Sequence, residues 1–116
     1  MNRAGNGSPD PAIRPTRVLI AGTNLLAGTL ARTLGAHGFA TMYTAASAQE
    51  IEGKLEWRPD LVLIDLRPFD VNSGSIIIGR VQRSGGQVCV IDDAGDGVRP
   101  SAWLRAGSSA LWELRA

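Results

Sequence analysis

Cysteine and histidine are nearly absent: each occurs once in 116 residues. Cys89 has no partner for an internal disulfide, and its neighbours Val88, Val90 and Ile91 place it in an apolar strand, where it reads as a small packed hydrophobe. His37 stands in Gly35-Ala36-His37-Gly38, a helix-ending stretch, and without a second histidine it offers no metal pair or catalytic couple. Charge of one sign is also missing: twelve basic and eleven acidic side chains leave a net charge of +1, so the surface is not built mainly to hold nucleic acid or anionic lipid. No apolar run approaches the roughly 20 residues of a membrane span. Residues 1–15 hold glycine, proline, serine and scattered charge, with no apolar core of a signal peptide, and are expected to form a flexible leader. The chain therefore reads as cytoplasmic. Its length fits one domain over residues 16–116, able to bury roughly 65% of the surface of the unfolded chain.

What is present is an alternation of short apolar runs with amphipathic stretches, the pattern of βαβ units around a parallel sheet. Val18 to Ala21 is the first strand. Asn24 can cap a helix in which Leu26, Leu30 and Leu34 recur at four-residue spacing, and Gly35 to Gly38 ends it. Phe39 to Thr44 is a weaker strand. Ser47-Ala48-Gln49-Glu50 then matches a capping box, with Ile51 and Leu55 as the buried side of the helix it starts. Pro59 cannot continue that helix, and Leu61-Val62-Leu63-Ile64-Asp65 follows as the third strand.

Residues 73–83 contain three consecutive isoleucines, which favour a strand by propensity, but a parallel sheet needs a crossover here and Ile77 with Val81 has helical spacing. A helix is expected. Gly85-Gly86 turns the chain into a fourth strand, Gln87 to Ile91, ending in Asp92-Asp93. Pro100-Ser101 starts a short helix with Trp103 and Leu104, Gly107 stops it, and Ala110 to Leu114 is the last strand.

The most informative residue is Asp65, a carboxylate at the carboxyl end of a buried strand, where open parallel sheets place their chemistry. The matching end of the first strand reads Ile20-Ala21-Gly22-Thr23-Asn24 and supplies no second acid. Magnesium prefers octahedral oxygen ligands that include carboxylates, so a metal held here would be held poorly.

Three blocks make the chain resemble the receiver domain of bacterial two-component response regulators. They are Arg17-Val18-Leu19-Ile20, then Arg58-Pro59-Asp60-Leu61-Val62-Leu63-Ile64-Asp65-Leu66-Arg67, then Arg105-Ala106-Gly107-Ser108-Ser109-Ala110-Leu111. The resemblance implies an α/β, CheY- or flavodoxin-like, doubly wound five-stranded parallel sheet in the order 2-1-3-4-5, here without its last helix. It implies that Asp65 stands at the position that accepts a phosphoryl group from a histidine kinase with the help of Mg²⁺. The acids that would hold that ion are replaced at Gly22 and Thr23. The family's hydroxyl residue after the fourth strand falls on Asp92, its lysine after the fifth falls near Leu114, and its proline is displaced to Pro68.

The expectation is a degenerate receiver-like signalling domain, not an enzyme, with no resident metal or cofactor. It would work without phosphorylation, through dimerisation or the binding of a partner or small ligand, to control a transcriptional output. A homodimer is expected, with a DNA-binding output domain or partner protein as the other candidate, and this segment itself touches neither nucleic acid nor membrane. Two further readings stay open: a conventional phosphoacceptor using Asp65, and a nucleotide-binding Rossmann-like fragment, since Gly22-Thr23-Asn24-Leu25-Leu26-Ala27-Gly28 is similar to a glycine-rich phosphate loop whose middle glycine is Leu25. Asp92, Asp93 and Asp96 could crowd near Asp65 or attract a cation. Trp57 is expected to cover a helix end, and Trp103 and Trp112 are candidates for either core or interface. Arg80, Arg83, Arg99 and Arg105 could form a basic patch, but no nucleic-acid-binding pattern accompanies them.

Overall fold

A computed structural model describes residues 14–93, 95 and 97–114. Five strands pair in parallel: β1 (Arg17–Ala21), β2 (Ala40–Thr44), β3 (Leu61–Asp65), β4 (Gln87–Asp93) and β5 (Ala110–Leu114). Their order across the sheet is 2-1-3-4-5. The crossovers are α1 (Asn24–Ala36), α2 (Ala48–Lys54) with a 3₁₀ turn at Leu55–Trp57, α3 (Val71–Arg83) and α4 (Val98–Ala106). The fold expected from the sequence is therefore the fold observed. Because the chain leaves β1 toward β2 and later returns to β3 on the other side, the strand order reverses between β1 and β3. Their carboxyl ends flank a crevice there.

Local signals set the helix ends. Thr23, not Asn24, caps α1: its backbone is extended and its hydroxyl accepts from the Leu26 amide. Ser47 caps α2 by accepting from the Glu50 amide at 3.2 Å, while the Glu50 carboxylate accepts from the Thr44 hydroxyl, so only one arm of the expected capping box is made. Asp70 caps α3 by accepting from the Ser73 amide at 2.7 Å, which starts that helix at Val71, ahead of the expected 73. Ile77 and Ile78 turn into the core and Ile76 stays exposed, so the isoleucine run is helical. Pro100 lies in the first turn of α4, where its missing N–H costs nothing, and Gly107 at φ 118° ends that helix.

Alternation along the strands sorts side chains onto two faces. On one face Leu19, Val62, Ile64, Val88 and Val90 pack with Ile51 of α2, Ile77, Ile78 and Val81 of α3, and Trp103 of α4. On the other, Val18 and Ile20 pack with Ala27 and Ala31 of α1, joined by Leu61 and Leu63. Among the described residues no second helix covers this face. Cys89, Trp112 and Leu114 lie on it partly exposed, with Trp112 at 45%.

Trp103 is the largest fully buried side chain, at 0% exposure, so it is a core residue and cannot serve as the exposed interface anchor that the sequence left open. Its ring reaches α3 at Gly74, where an added Cβ would stand 2.5 Å from Cζ3 and Cη2. Trp57 packs at the edge of the same core, and the Arg17 guanidinium stacks over its ring at 5.7 Å. The leader expected over residues 1–15 falls mostly outside the described residues. Arg14, within it, is tied down: it donates to both Asp60 oxygens at 2.9 and 3.0 Å.

Gly74→Ala should force the indole or α3 to shift and cost about 1–3 kcal/mol. Urea unfolding of the two proteins measures this, and equal midpoints would show that the contact is not tight.

Candidate functional site

At the carboxyl ends of β1 and β3, Gly22 and Arg67 lie against Asp65, and Thr23 follows Gly22. Asp65 is the last residue of β3 and 3% exposed. Gly22 follows β1 directly and is held by its amide donating to the Thr44 carbonyl. An added Cβ on Gly22 would lie 3.6 Å from the Asp65 Cβ, so the two positions are neighbours and a side chain would fit between them. Thr23 is engaged in capping α1. Gly22 is therefore a neighbour of Asp65, and neither Gly22 nor Thr23 brings a carboxylate to it.

The residue that does face Asp65 is Arg67. Its Nε donates to Oδ1 at 2.9 Å and its Nη2 to Oδ2 at 2.8 Å, a fork-to-fork pair, and its backbone N–H adds a bond to Oδ1 at 3.1 Å. A buried carboxylate requires compensation of this kind. The pairing raises the Arg67 pKa, first through the hydrogen bond with Asp65.

Asp92, 2% exposed, has a separate set of partners. Its Oδ2 accepts from the Trp103 indole Nε1 at 2.8 Å and from Arg99 Nε at 2.9 Å, and its Oδ1 accepts from the Asp93 amide at 2.8 Å. Arg99 also stacks on the Trp103 ring at 5.1 Å and donates from Nη2 to the Leu66 carbonyl at 2.7 Å. Burial pushes the Asp92 carboxyl up, but the indole, the guanidinium and the Asp93 amide outweigh it and hold the group below the usual carboxylate range.

The sequence-based expectation of Asp92 opposing Asp65 as a second anion is corrected here. Asp65 pairs in register with Ile91, so Asp92 falls on the other face, with α4. Each acid has its own arginine. Among the described residues no group of three or more His, Cys, Asp or Glu is placed to hold a metal ion; Asp96, one of the acids considered for such a group, lies outside the described residues. The donor set around Asp65 fits Mg²⁺ poorly: both Asp65 oxygens already face the Arg67 guanidinium, on which Asp93, on the same face by alternation, also acts.

Other candidates separate from the crevice. His37 Nδ1 lies 2.8 Å from the Thr33 carbonyl at the end of α1, an exposed local contact. In the glycine-rich loop, Gly28 sits inside α1 with only the end of Arg32 near an added Cβ, and Leu25 is 82% exposed. The four arginines do not act together: Arg99 turns inward to Asp92 and Arg80 pairs with Glu52. Sequence reading missed Arg67 and Arg99 as partners. The only signal was an arginine two residues beyond Asp65, and seven beyond Asp92.

No protein-family model matches the sequence, and no curated protein matches it. Solved structures do. The signal receiver domain of a modulated diguanylate cyclase from Desulfovibrio desulfuricans G20 superposes with a TM-score of 0.72 at 19% identity, covering 86% of this chain and 82% of that one. A two-component response regulator from Clostridium difficile gives 0.74 at 15% identity, covering 84% and 82%. Chemotaxis protein CheY4 from Vibrio cholerae gives 0.73 at 13%, covering 86% and 87%. At such identities the likeness is one of fold, and the fold is that of response-regulator receiver domains.

Because the Asp92 pKa is lowered on folding, its stabilisation is complete above the unfolded value of about 4 and is lost as pH falls through the lower folded value. Asp92→Asn should cost about 1–3 kcal/mol at neutral pH. The gap between the two proteins, read from urea unfolding at several pH values, should be flat above about pH 5 and narrow below about pH 4; a gap independent of pH would show that the carboxylate charge contributes nothing.

Proposed function

We propose that this chain is a receiver-fold signalling module that works without aspartyl phosphorylation. It is not an enzyme, and it acts in the cytoplasm by binding a partner or a second copy of itself to control an output domain or partner protein, a transcriptional regulator by its resemblance. The observation that supports this most is the double grip of Arg67 on Asp65. Attack on a phosphoryl group needs a free carboxylate oxygen and a cation shared between the acid and the incoming phosphate oxygens. Here the cation is a fixed side chain that already occupies both oxygens, and among the described residues no group of three or more His, Cys, Asp or Glu is placed to hold a metal.

The conventional reading, with Asp65 as phosphoacceptor, draws support from its place at the end of β3 and from the partial exposure of Arg67. Beryllofluoride with millimolar Mg²⁺ separates the two. The proposal expects an unchanged amide spectrum, and a shift centred on Asp65 would replace it with the phosphoacceptor reading.

The half-covered sheet supports self-association. Trp112 stands in register with Ile91 on the face that α1 leaves open, at 45% exposure, next to Cys89 and Leu114. An all-parallel sheet ordinarily has both faces covered. No helix among the described residues is long and apolar enough to cross a membrane, so the helices present offer no membrane-spanning partner for this face.

Light scattering should show a mass rising with concentration toward a dimer. Trp112→Glu should keep the protein folded and abolish the rise, whereas a wild-type protein that stays monomeric at high concentration would count against the dimer.

A further inference from the structure

β5 is the outermost strand of the sheet, and among the described residues it pairs with β4 alone. The outer edge of such a strand carries a row of backbone N–H and C=O groups that point away from the sheet. Native proteins blunt such edges with lysine, proline, a bulge or a covering element. Ala110-Leu111-Trp112-Glu113-Leu114 holds no lysine, arginine or proline, and its one charge is Glu113. Among the described residues one side chain bonds to the backbone of β5: the Ser108 hydroxyl donates to the Ala110 carbonyl at 2.6 Å, at the start of the strand. The opposite edge, β2, has α1 bound against it, with the Thr41 hydroxyl donating to the Ala31 carbonyl at 3.2 Å. Among the described residues β5 has no such helix on the face that carries Trp112 and Leu114.

An edge of alternating donors and acceptors is complementary to itself when a second copy runs antiparallel to it, and a twofold axis through the junction makes every contact twice. Side chains select where that axis falls. Set at Trp112, it pairs all five residues of the strand: Trp112 with the second copy's Trp112, Leu111 with its Glu113, and Ala110 with its Leu114. Each carboxylate then faces a leucine. Moved one residue forward, the axis would set the two Glu113 carboxylates directly opposite each other, which is repulsive. Moved one residue back, it would lay Glu113 beside Ser109, before the strand begins. With the axis perpendicular to the sheet, the indoles meet on the side that α1 leaves open, where Trp112 is 45% exposed in the single chain. Aromatic side chains directly opposite across two strands are among the pairs that stabilise a sheet.

We infer that a second copy of this chain joins the sheet edge to edge, β5 against β5 in antiparallel register about Trp112, so that two five-stranded sheets become one continuous sheet. The inference rests on the self-association in the proposed function and states its geometry. Backbone hydrogen bonds between the two β5 strands supply the contact, and Trp112 sets the register. The other way for a second copy to use Trp112, packing the two open faces against each other, would leave the outer edge of β5 in water.

Amide hydrogen exchange and isotope-filtered contacts on the full wild-type chain test this at two concentrations, one at which light scattering gives the monomer mass and one at which it gives mostly dimer. The β5 amides that exchange fast in the dilute protein are those that face outward. They should slow about 10-fold once about nine-tenths of the chains are dimeric, because exchange then runs through the free tenth. Mixing labelled with unlabelled chains should show contacts between Leu111 of one copy and Glu113 of the other. A dimer whose outward β5 amides still exchange at the dilute rate would overturn edge pairing and leave self-association standing. A dimer protected there but lacking the Leu111 to Glu113 contacts would overturn the register about Trp112. A chain that stays monomeric at high concentration would overturn both this inference and the self-association on which it rests.

Discussion

The grip of one guanidinium on a buried carboxylate governs the crevice of this protein. A carboxylate that is 3% exposed at a strand end cannot remain charged without a partner, and the fold gives it a choice of cation: a bound metal, which needs further oxygen ligands, or a fixed basic side chain. This chain takes the second course. With glycine beside Asp65, the end of β1 adds no carboxylate for a divalent ion to use. Arg67, two residues away, supplies the charge from within the chain and satisfies both oxygens in a planar fork. The exchange of a diffusible cation for a covalently attached one converts a site that can be loaded and unloaded into one whose occupancy is permanent until something competes for the arginine.

The same solution recurs on the opposite face. Asp92 stands where the resemblance implies a hydroxyl, and it too is neutralised internally, by Arg99 and the Trp103 indole. The partners of the two acids come from different elements. Arg67 is local to β3, whereas Arg99 and Trp103 belong to α4, so the second cluster ties a helix to the sheet while the first only closes a loop. Removing one member of either cluster leaves a buried charge or an unpaired donor, which is why these sites matter more to the fold than the exposed pair of Arg80 and Glu52.

Much of the architecture was legible before any coordinates because it is written in local terms. Apolar runs bounded by glycine and proline marked the five strands, Ser47 marked the start of α2, and the Leu61–Asp65 run fixed where the chemistry of the fold would lie. The isoleucine run at 76–78 was settled by topology over propensity, correctly, because a parallel sheet cannot dispense with its crossover. What escaped was the pairing of side chains. Asp70 as the cap of α3 shifts a boundary by two residues, and no apolar periodicity reports it. The placing of Asp92 against α4 depends on strand register, since a shift of one residue between β3 and β4 would put it on the Asp65 face. Trp103 could not be assigned to core or surface from sequence, because the space it fills is created by the missing side chain of Gly74, twenty-nine positions earlier.

That vacancy on α3 has an evolutionary corollary. A helix surface that lacks a Cβ and an aromatic ring that fills the gap share one volume, so a change at either position is felt at the other. A methyl group on α3 is relieved by a smaller side chain on α4, and trimming the ring withdraws the indole donor from the acid at the end of β4. Three sites far apart in the chain therefore share one contact, and joint variation among them in related sequences is the trace it would leave.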